Sequence, residues 1–350
     1  MKFVLILILT FFIGISLTPF LIHFAKRINL VDIPDNRKIH VGHIPLVGGL
    51  VVFVSGWVAL FVQLQNFFEA AIIFFTSLLI LIVGLYDDKK SLKVSSRVLV
   101  QFIAVLLVFL LLDIWLENLG NIFIYGDVIF EPFFGFILTF FAILGVTSSL
   151  NMSDGINGLA GSLALITLCF LSFLAYSADR FFEFWLASIF AVSLIPYLLF
   201  NMGFFGRKNR IFLGDSGAMF LGFIIALIFI LLSQDTELTG RAINPVTALW
   251  IFCIPLVDTF AIMWRRLLEG KSPFLPDRNH LHHILMKNGI SSNLSLFLIV
   301  VSSILLSSIG VFIEIIELPE FFSFFLFCLF FILYFFLMLF LIKKVDAKTK

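Results

Sequence analysis

The chain has 350 residues, 61% of them hydrophobic, with a mean hydropathy of +1.14 and a formal net charge of +1. So apolar a composition excludes a soluble globular domain, and successive apolar runs of about 20 residues mark a polytopic, all-α membrane protein. The net charge selects no partner class, and no nucleic-acid partner is expected.

Eleven spans are predicted, near 3–22, 44–64, 70–86, 98–116, 132–150, 159–178, 181–201, 211–233, 245–264, 294–314 and 319–342. The first run is too long and too apolar for a cleaved signal and is expected to stay as a span. Cys169, Cys253 and Cys328 each lie within an apolar run and read as packing residues. The 48 Phe suit lipid-facing positions. No internal repeat and no second domain is visible, so residues 1–350 read as one integral membrane domain.

Charge gives the orientation. Of the 23 Lys and Arg, 20 fall in alternate gaps and the tail; only Lys2, Arg180 and Arg241 fall in the other set. The positive-inside rule then predicts the N-terminus outside and the C-terminus in the cytoplasm. The longest external gap, 113–131, carries Tyr125-Gly126-Asp127 and predicts a small hairpin near 122–130.

The cytoplasmic gaps hold the chemistry. The first contains Pro34-Asp35-Asn36-Arg37-Lys38-Ile39-His40 and Ile44-Pro45-Leu46-Val47-Gly48-Gly49. The second opens with Asp87-Asp88-Lys89-Lys90. The third is Asn151-Met152-Ser153-Asp154-Gly155-Ile156-Asn157-Gly158. The fourth runs from Asn201 to Phe212-Leu213-Gly214-Asp215-Ser216-Gly217. The fifth runs from Asp258 through Arg265-Arg266 to Asp277-Arg278-Asn279-His280-Leu281-His282-His283. Asp87, Asp88, Asp154 and Asp215 all sit at span ends on the basic face. Gathered in one plane they would repel unless a cation lay between them, and oxygen ligands favour Mg²⁺, or Mn²⁺, over zinc. Mg²⁺ usually shares its shell with substrate phosphates, and the nearby Lys, Arg and Gly supply phosphate contacts. The pattern points to phosphoryl-group chemistry on a Mg-bound diphosphate.

Each piece has a plainer reading. Asp87-Asp88 can be a solvated boundary, Asp215 a turn or helix cap, and Arg265-Arg266 an anchor on the inner face. His280, His282 and His283 can be a zinc site or ordinary loop residues. Asp258 is nearly intramembrane, which predicts a functional or paired role, with Arg265 the suggested partner. His23 reads as structural.

Together these motifs resemble the polyprenyl-phosphate N-acetylhexosamine-1-phosphate transferase family (MraY/WecA type) over nearly the whole chain. P-D-N-R-K-I-H with I-P-L-V-G-G is similar to its first loop, Y-D-D-K-K to its paired-Asp motif, N-M-S-D-G-I-N-G-L to its N-x-x-D-G-x-D-G-L motif, and I-F-L-G-D-S-G to its metal-binding motif. S-P-F-L-P-D-R-N-H-L-H-H is closer to the WecA-like, UDP-GlcNAc-using branch. The resemblance implies transfer of a sugar-1-phosphate from a UDP-N-acetylhexosamine to undecaprenyl phosphate, with release of UMP, at the cytoplasmic side of a bacterial inner membrane. The lipid-linked product starts a cell-surface polysaccharide.

The resemblance also assigns roles. Asp215 would bind Mg²⁺, and Asp87 or Asp88 would deprotonate or position the lipid phosphate or, in a competing scheme, act as a nucleophile that carries the sugar-phosphate covalently. Asn151 and Asp154 would lie beside the diphosphate, and Asn157, Phe212 and Asn201 near the uridine. His280, His282 and His283, with Arg278, would hold the sugar-phosphate. Arg37, Lys38 and His40 would lie near substrate. A homodimer is also implied. Two positions depart from the family: Asn157 replaces an Asp and keeps only a binding role, and Ser148 stands where the other branch often has Asn. UDP-GlcNAc is the expected donor, with other UDP-N-acetyl sugars or UDP-MurNAc-pentapeptide as alternatives.

Two rivals belong to other classes: a transporter or flippase, and a scaffold. Transporters concentrate polar groups near the bilayer midplane. Here the span middles are almost free of ionisable residues.

Overall fold

A computed structural model describes residues 2–33, 42–63, 67–235, 240–273, 277 and 279–349. Helix α1 (Lys2–Arg27) leads into a short antiparallel pair, β1 (Val31–Asp32) with β2 (Ile44–Pro45). There follow α2 (Gly48–Gln63), α3 (Phe67–Lys90), α4 (Val94–Leu112), α5 (Pro132–Met152), α6 (Leu159–Ser177), α7 (Phe181–Asn201) and α8 (Gly214–Ser233). Next come α9 (Pro245–Ile251), α10 (Cys253–Leu268), α11 (Leu281–Lys287), α12 (Ser292–Ile315) and α13 (Glu320–Thr349). Nine of these helices are long and apolar enough to cross a membrane, α9 and α10 together make a tenth, and α2 is a shorter apolar helix of 16 residues. Helices close their own backbone hydrogen bonds, which is what an apolar surround demands.

The ninth span is not continuous. The chain bends by 86° between α9 and α10. Pro255 is the cause visible in the sequence, because it has no N–H to offer the carbonyl of Ile251 one turn back. That carbonyl instead accepts the hydroxyl of Ser307 on α12 at 2.9 Å, so it keeps a partner at the break.

Helix α8 is the axis of the bundle and is buried along almost its whole length. It packs on α2, α3 and α5. Glycine permits the close approach: a Cβ on Gly49 of α2 would lie 2.5 Å from Gly217 Cα, and one on Gly84 of α3 would lie 2.3 Å from Ser216 Cα. Three span ends are thereby drawn together around the start of α8.

At the opposite end the hairpin forms a little earlier than its turn residues suggest, with Asn118 bridged to Ile129 and Leu119 donating to Val128. Gln234, after α8, accepts the N–H groups of Glu117 and Asn118 at 3.0 and 2.9 Å. Glu320, opening α13, accepts from Asn121 and Arg241. Arg180 pairs with Glu183 at 2.6 Å. Two of the three cations that break the charge bias are therefore matched by carboxylates.

Candidate functional site

Gly214 opens α8 with φ +76°, and its bare Cα faces the Asp88 carboxylate; a Cβ there would lie 2.5 Å from Asp88 Oδ2. Asp88 Oδ1 accepts the N–H of Asp215 at 2.7 Å, and Oδ2 accepts the Ser216 hydroxyl at 2.7 Å and its N–H at 3.2 Å. The first turn of α8 has no local cap, and α3 supplies one. Asp87, the preceding residue, faces another way. It accepts the Leu92 N–H, which closes the turn into α4, and Arg97 at 3.0 Å. The same Arg97 nitrogen lies 3.6 Å from Asp215 Oδ2. Asp215 is the more open carboxylate, and Asp87 and Asn151 both face it.

The first loop is pinned to the same place. Phe212 donates its N–H to Pro45 at 2.9 Å, and its carbonyl accepts from Gly48 at 2.9 Å. This parallel bridge fixes the backbone of Phe212 between α2 and α8.

Asp154 lies in the turn between α5 and α6. Burial pushes its carboxyl up to about 7, and the charges of Asp215, Asp88 and Asp32 push it the same way. The four expected carboxylates therefore share one field, with Asp32 as a fifth. Asn157 is half-buried in the same turn. Asn201 ends α7 and is fully engaged: its Oδ1 accepts the Gly158 N–H at 2.6 Å and its Nδ2 donates to the Ile211 carbonyl at 2.8 Å. It clips the third loop to the fourth.

The histidine loop closes the ring. His280, His282 and His283 line a cavity of about 200 Å³ together with Gly155 and Asp277. A Cβ on Gly155 would lie 1.9 Å from His282 Nε2, so only glycine lets that imidazole seat on the turn. Burial holds His282 down at about 3, with His283 and His280 adding to the effect and Asp258 opposing it, so it is neutral. Its buried Nε2 has no hydrogen-bond partner among the described residues. Asp258 does not pair with Arg265. The carboxylate takes His280, and Arg265 and Arg266 both bind Asp277, Arg266 at 2.9 Å. The two arginines are latches on the loop's start. Burial raises the Asp277 carboxyl, but these cations outweigh it and hold it below the usual range.

Among the described residues no three His, Cys, Asp or Glu side chains form a ready metal cage. Arg37, Lys38, His40 and Arg278 lie outside the described residues. Sequence reasoning missed Arg97, counted only as an inner-face cation, and Tyr334, hidden in an apolar helix.

A multi-pass helical membrane protein with its polar site at one end of the bundle is the class this geometry defines. The chain belongs to glycosyl transferase family 4: residues 70–233 match that family's profile, and full-length relatives align beyond it. It is 38% identical over 312 residues to an undecaprenyl-phosphate alpha-N-acetylglucosaminyl 1-phosphate transferase of Yersinia pestis, covering 89% of this chain and 84% of that protein. The protein of that name in Escherichia coli (strain K12) is 36% identical over 313 residues, with the same coverage. The one in Haemophilus influenzae is 34% identical over 317 residues, covering 88% and 86%.

Proposed function

We propose that the protein transfers GlcNAc-1-phosphate from UDP-GlcNAc to undecaprenyl phosphate. An oxygen of the lipid phosphate attacks the β-phosphorus, the bond from that phosphorus to the bridging oxygen breaks, and UMP leaves. The carrying observation is the junction of Asp87, Asp88, Asp154 and Asp215 at the start of α8, with Arg97 the only Lys or Arg ion-paired to any of them among the described residues. The relatives' names supply the acceptor and the transferred group, and the motif resemblance supplies the UDP donor.

The donor set suits a hard divalent cation. Carboxylates outnumber the cation beside them, and Asp215 is both open and flanked by Asn151. Asp215, with Asp154 and Asn151 nearby, would hold Mg²⁺, which supplies charge neutralisation at the diphosphate. Arg97 orients Asp87 and Asp215. Asp88 has both oxygens occupied by donors, which favours a positioning role over covalent attack. His282 stays neutral and offers its free Nε2 to the sugar-phosphate side.

The charge bias and the bacterial relatives support the inner membrane, with this end of the bundle in the cytoplasm. There a soluble nucleotide meets a lipid phosphate without either crossing the bilayer. An apolar cavity of about 300 Å³ beside the α9–α10 break, walled by α5 and α8, suits the isoprenoid tail. The test is nucleotide release from purified protein given UDP-GlcNAc, undecaprenyl phosphate and Mg²⁺. UMP that requires the lipid and is lost in Asp215→Ala supports the reading; UDP in its place refutes phosphosugar transfer. Size measurement in detergent tests the homodimer.

A further inference from the structure

Asp258 stands apart from the carboxylate cluster, in the middle of α10. It is buried, and three donors converge on it. His280 Nδ1 lies 2.8 Å from Oδ2, the Leu281 N–H lies 3.0 Å from Oδ1, and the Tyr334 hydroxyl lies 2.7 Å from Oδ1. His280 and Tyr334 are buried as well. Oδ1 already accepts from the Leu281 N–H and the Tyr334 hydroxyl, and Oδ2 is left to accept in its turn, which puts the shared proton on His280 Nδ1. The imidazole then has Nε2 as its one unassigned nitrogen, in a ring that lines the site cavity. A carboxylate behind a histidine fixes which nitrogen carries the proton and which way the ring faces. Tyr334 belongs to α13, far along the chain from every site motif, and its hydroxyl shares Oδ1 with the Leu281 N–H.

We propose that Asp258 and Tyr334 are a positioning pair that fixes the tautomer and orientation of His280, so that its Nε2 serves the anionic part of the donor substrate. The choice of substrate rests on the transfer reading above; the tautomer does not. A purely structural tie would fasten the loop to α10 and α13 without caring which nitrogen of His280 is protonated.

The test uses the full-length protein in detergent with isotope-labelled histidine. The His280 signal is assigned by its loss in His280→Gln. Wild type is expected to show the Nδ1–H tautomer. Asp258→Asn is expected to move His280 toward the Nε2–H form and to lower kcat for UMP release by roughly 10²–10⁴-fold, leaving KM for UDP-GlcNAc nearly unchanged. Tyr334→Phe guards against an Asp258 variant that fails to fold. It removes one competing donor, so the His280 Nδ1 proton should move downfield while kcat falls several-fold. A His280 signal untouched by both substitutions overturns the positioning pair. Wild-type protein with the expected tautomer and no UMP release would sink the transfer reading alone.

Discussion

Asp88 of α3 accepts both the hydroxyl and the backbone N–H of Ser216, in the first turn of α8. With the Asp215 N–H as a third donor, it caps a helix to which it is not joined in sequence. Asp88→Asn should therefore cost stability, about 1–2 kcal/mol, as well as activity. Asp215→Asn should abolish activity without lowering the melting temperature, since it removes a like charge from a crowded field. Thermal unfolding in detergent separates the two; equal melting points would contradict the cap.

Stability should respond to pH with two opposite signs. Asp154 has a folded value of about 7 against an ordinary 3.8. The folded state keeps that proton longer, so stability falls as pH rises from about 4 to about 7 and stays lower above. His282 has a folded value of about 3 against 6.5. There the unfolded chain takes up the proton first, so stability falls as pH drops from about 6.5 to about 3. Asp154→Asn is expected to raise the melting temperature more at pH 8 than at pH 5, and His282→Gln to soften the loss below pH 6. A gain in Asp154→Asn that ignores pH would argue against the first assignment.

Gly155→Ala puts a methyl where the His282 ring lies. The ring must leave the turn, and a displacement of an ångström or more in a reacting site costs roughly 10²-fold in rate. UMP release should fall by that order while the protein still folds. Activity near wild type would show that His282 need not sit there.

Asn201→Ala removes one acceptor and one donor, leaving the Gly158 N–H and the Ile211 carbonyl without partners. About 1–3 kcal/mol is expected for each group left buried and unpaired. The melting temperature should drop by several degrees and KM for UDP-GlcNAc should rise, because both flanking loops lose their clip. An unchanged melting point would mean the clip does not form in the membrane.

The spans were legible because length and apolarity are local: nine of the eleven apolar runs become helices long enough to cross a membrane, a tenth becomes the bent α9–α10 pair, and the second, expected over 44–64, yields only β2 and the 16-residue α2. The four carboxylates were legible as a group because each ends a span on the basic face. What hid was pairing across the chain. Pro255 signals a break, but nothing near it says that Ser307 receives the freed carbonyl. Asp88 reads as half of a pair with Asp87, yet the two side chains serve different helices. Asp258 suggested Arg265, two turns on, because proximity in sequence is all a sequence offers; its partners are His280 and Tyr334. The Asp277 latch likewise needed two segments seen together.

Helix α8 touches protein on nearly every side, whereas α1 and α13 turn long apolar faces outward. The two kinds of helix should drift at different speeds over generations. Along α1 and α13 one greasy side chain can replace another with little consequence, because lipid has no fixed shape. Along α8 each exchange must suit α2, α3 or α5 at once. A saturation library scored for growth or activity should trace a narrow intolerant column down the centre of the bundle, ending where Asp215 and Ser216 meet Asp88.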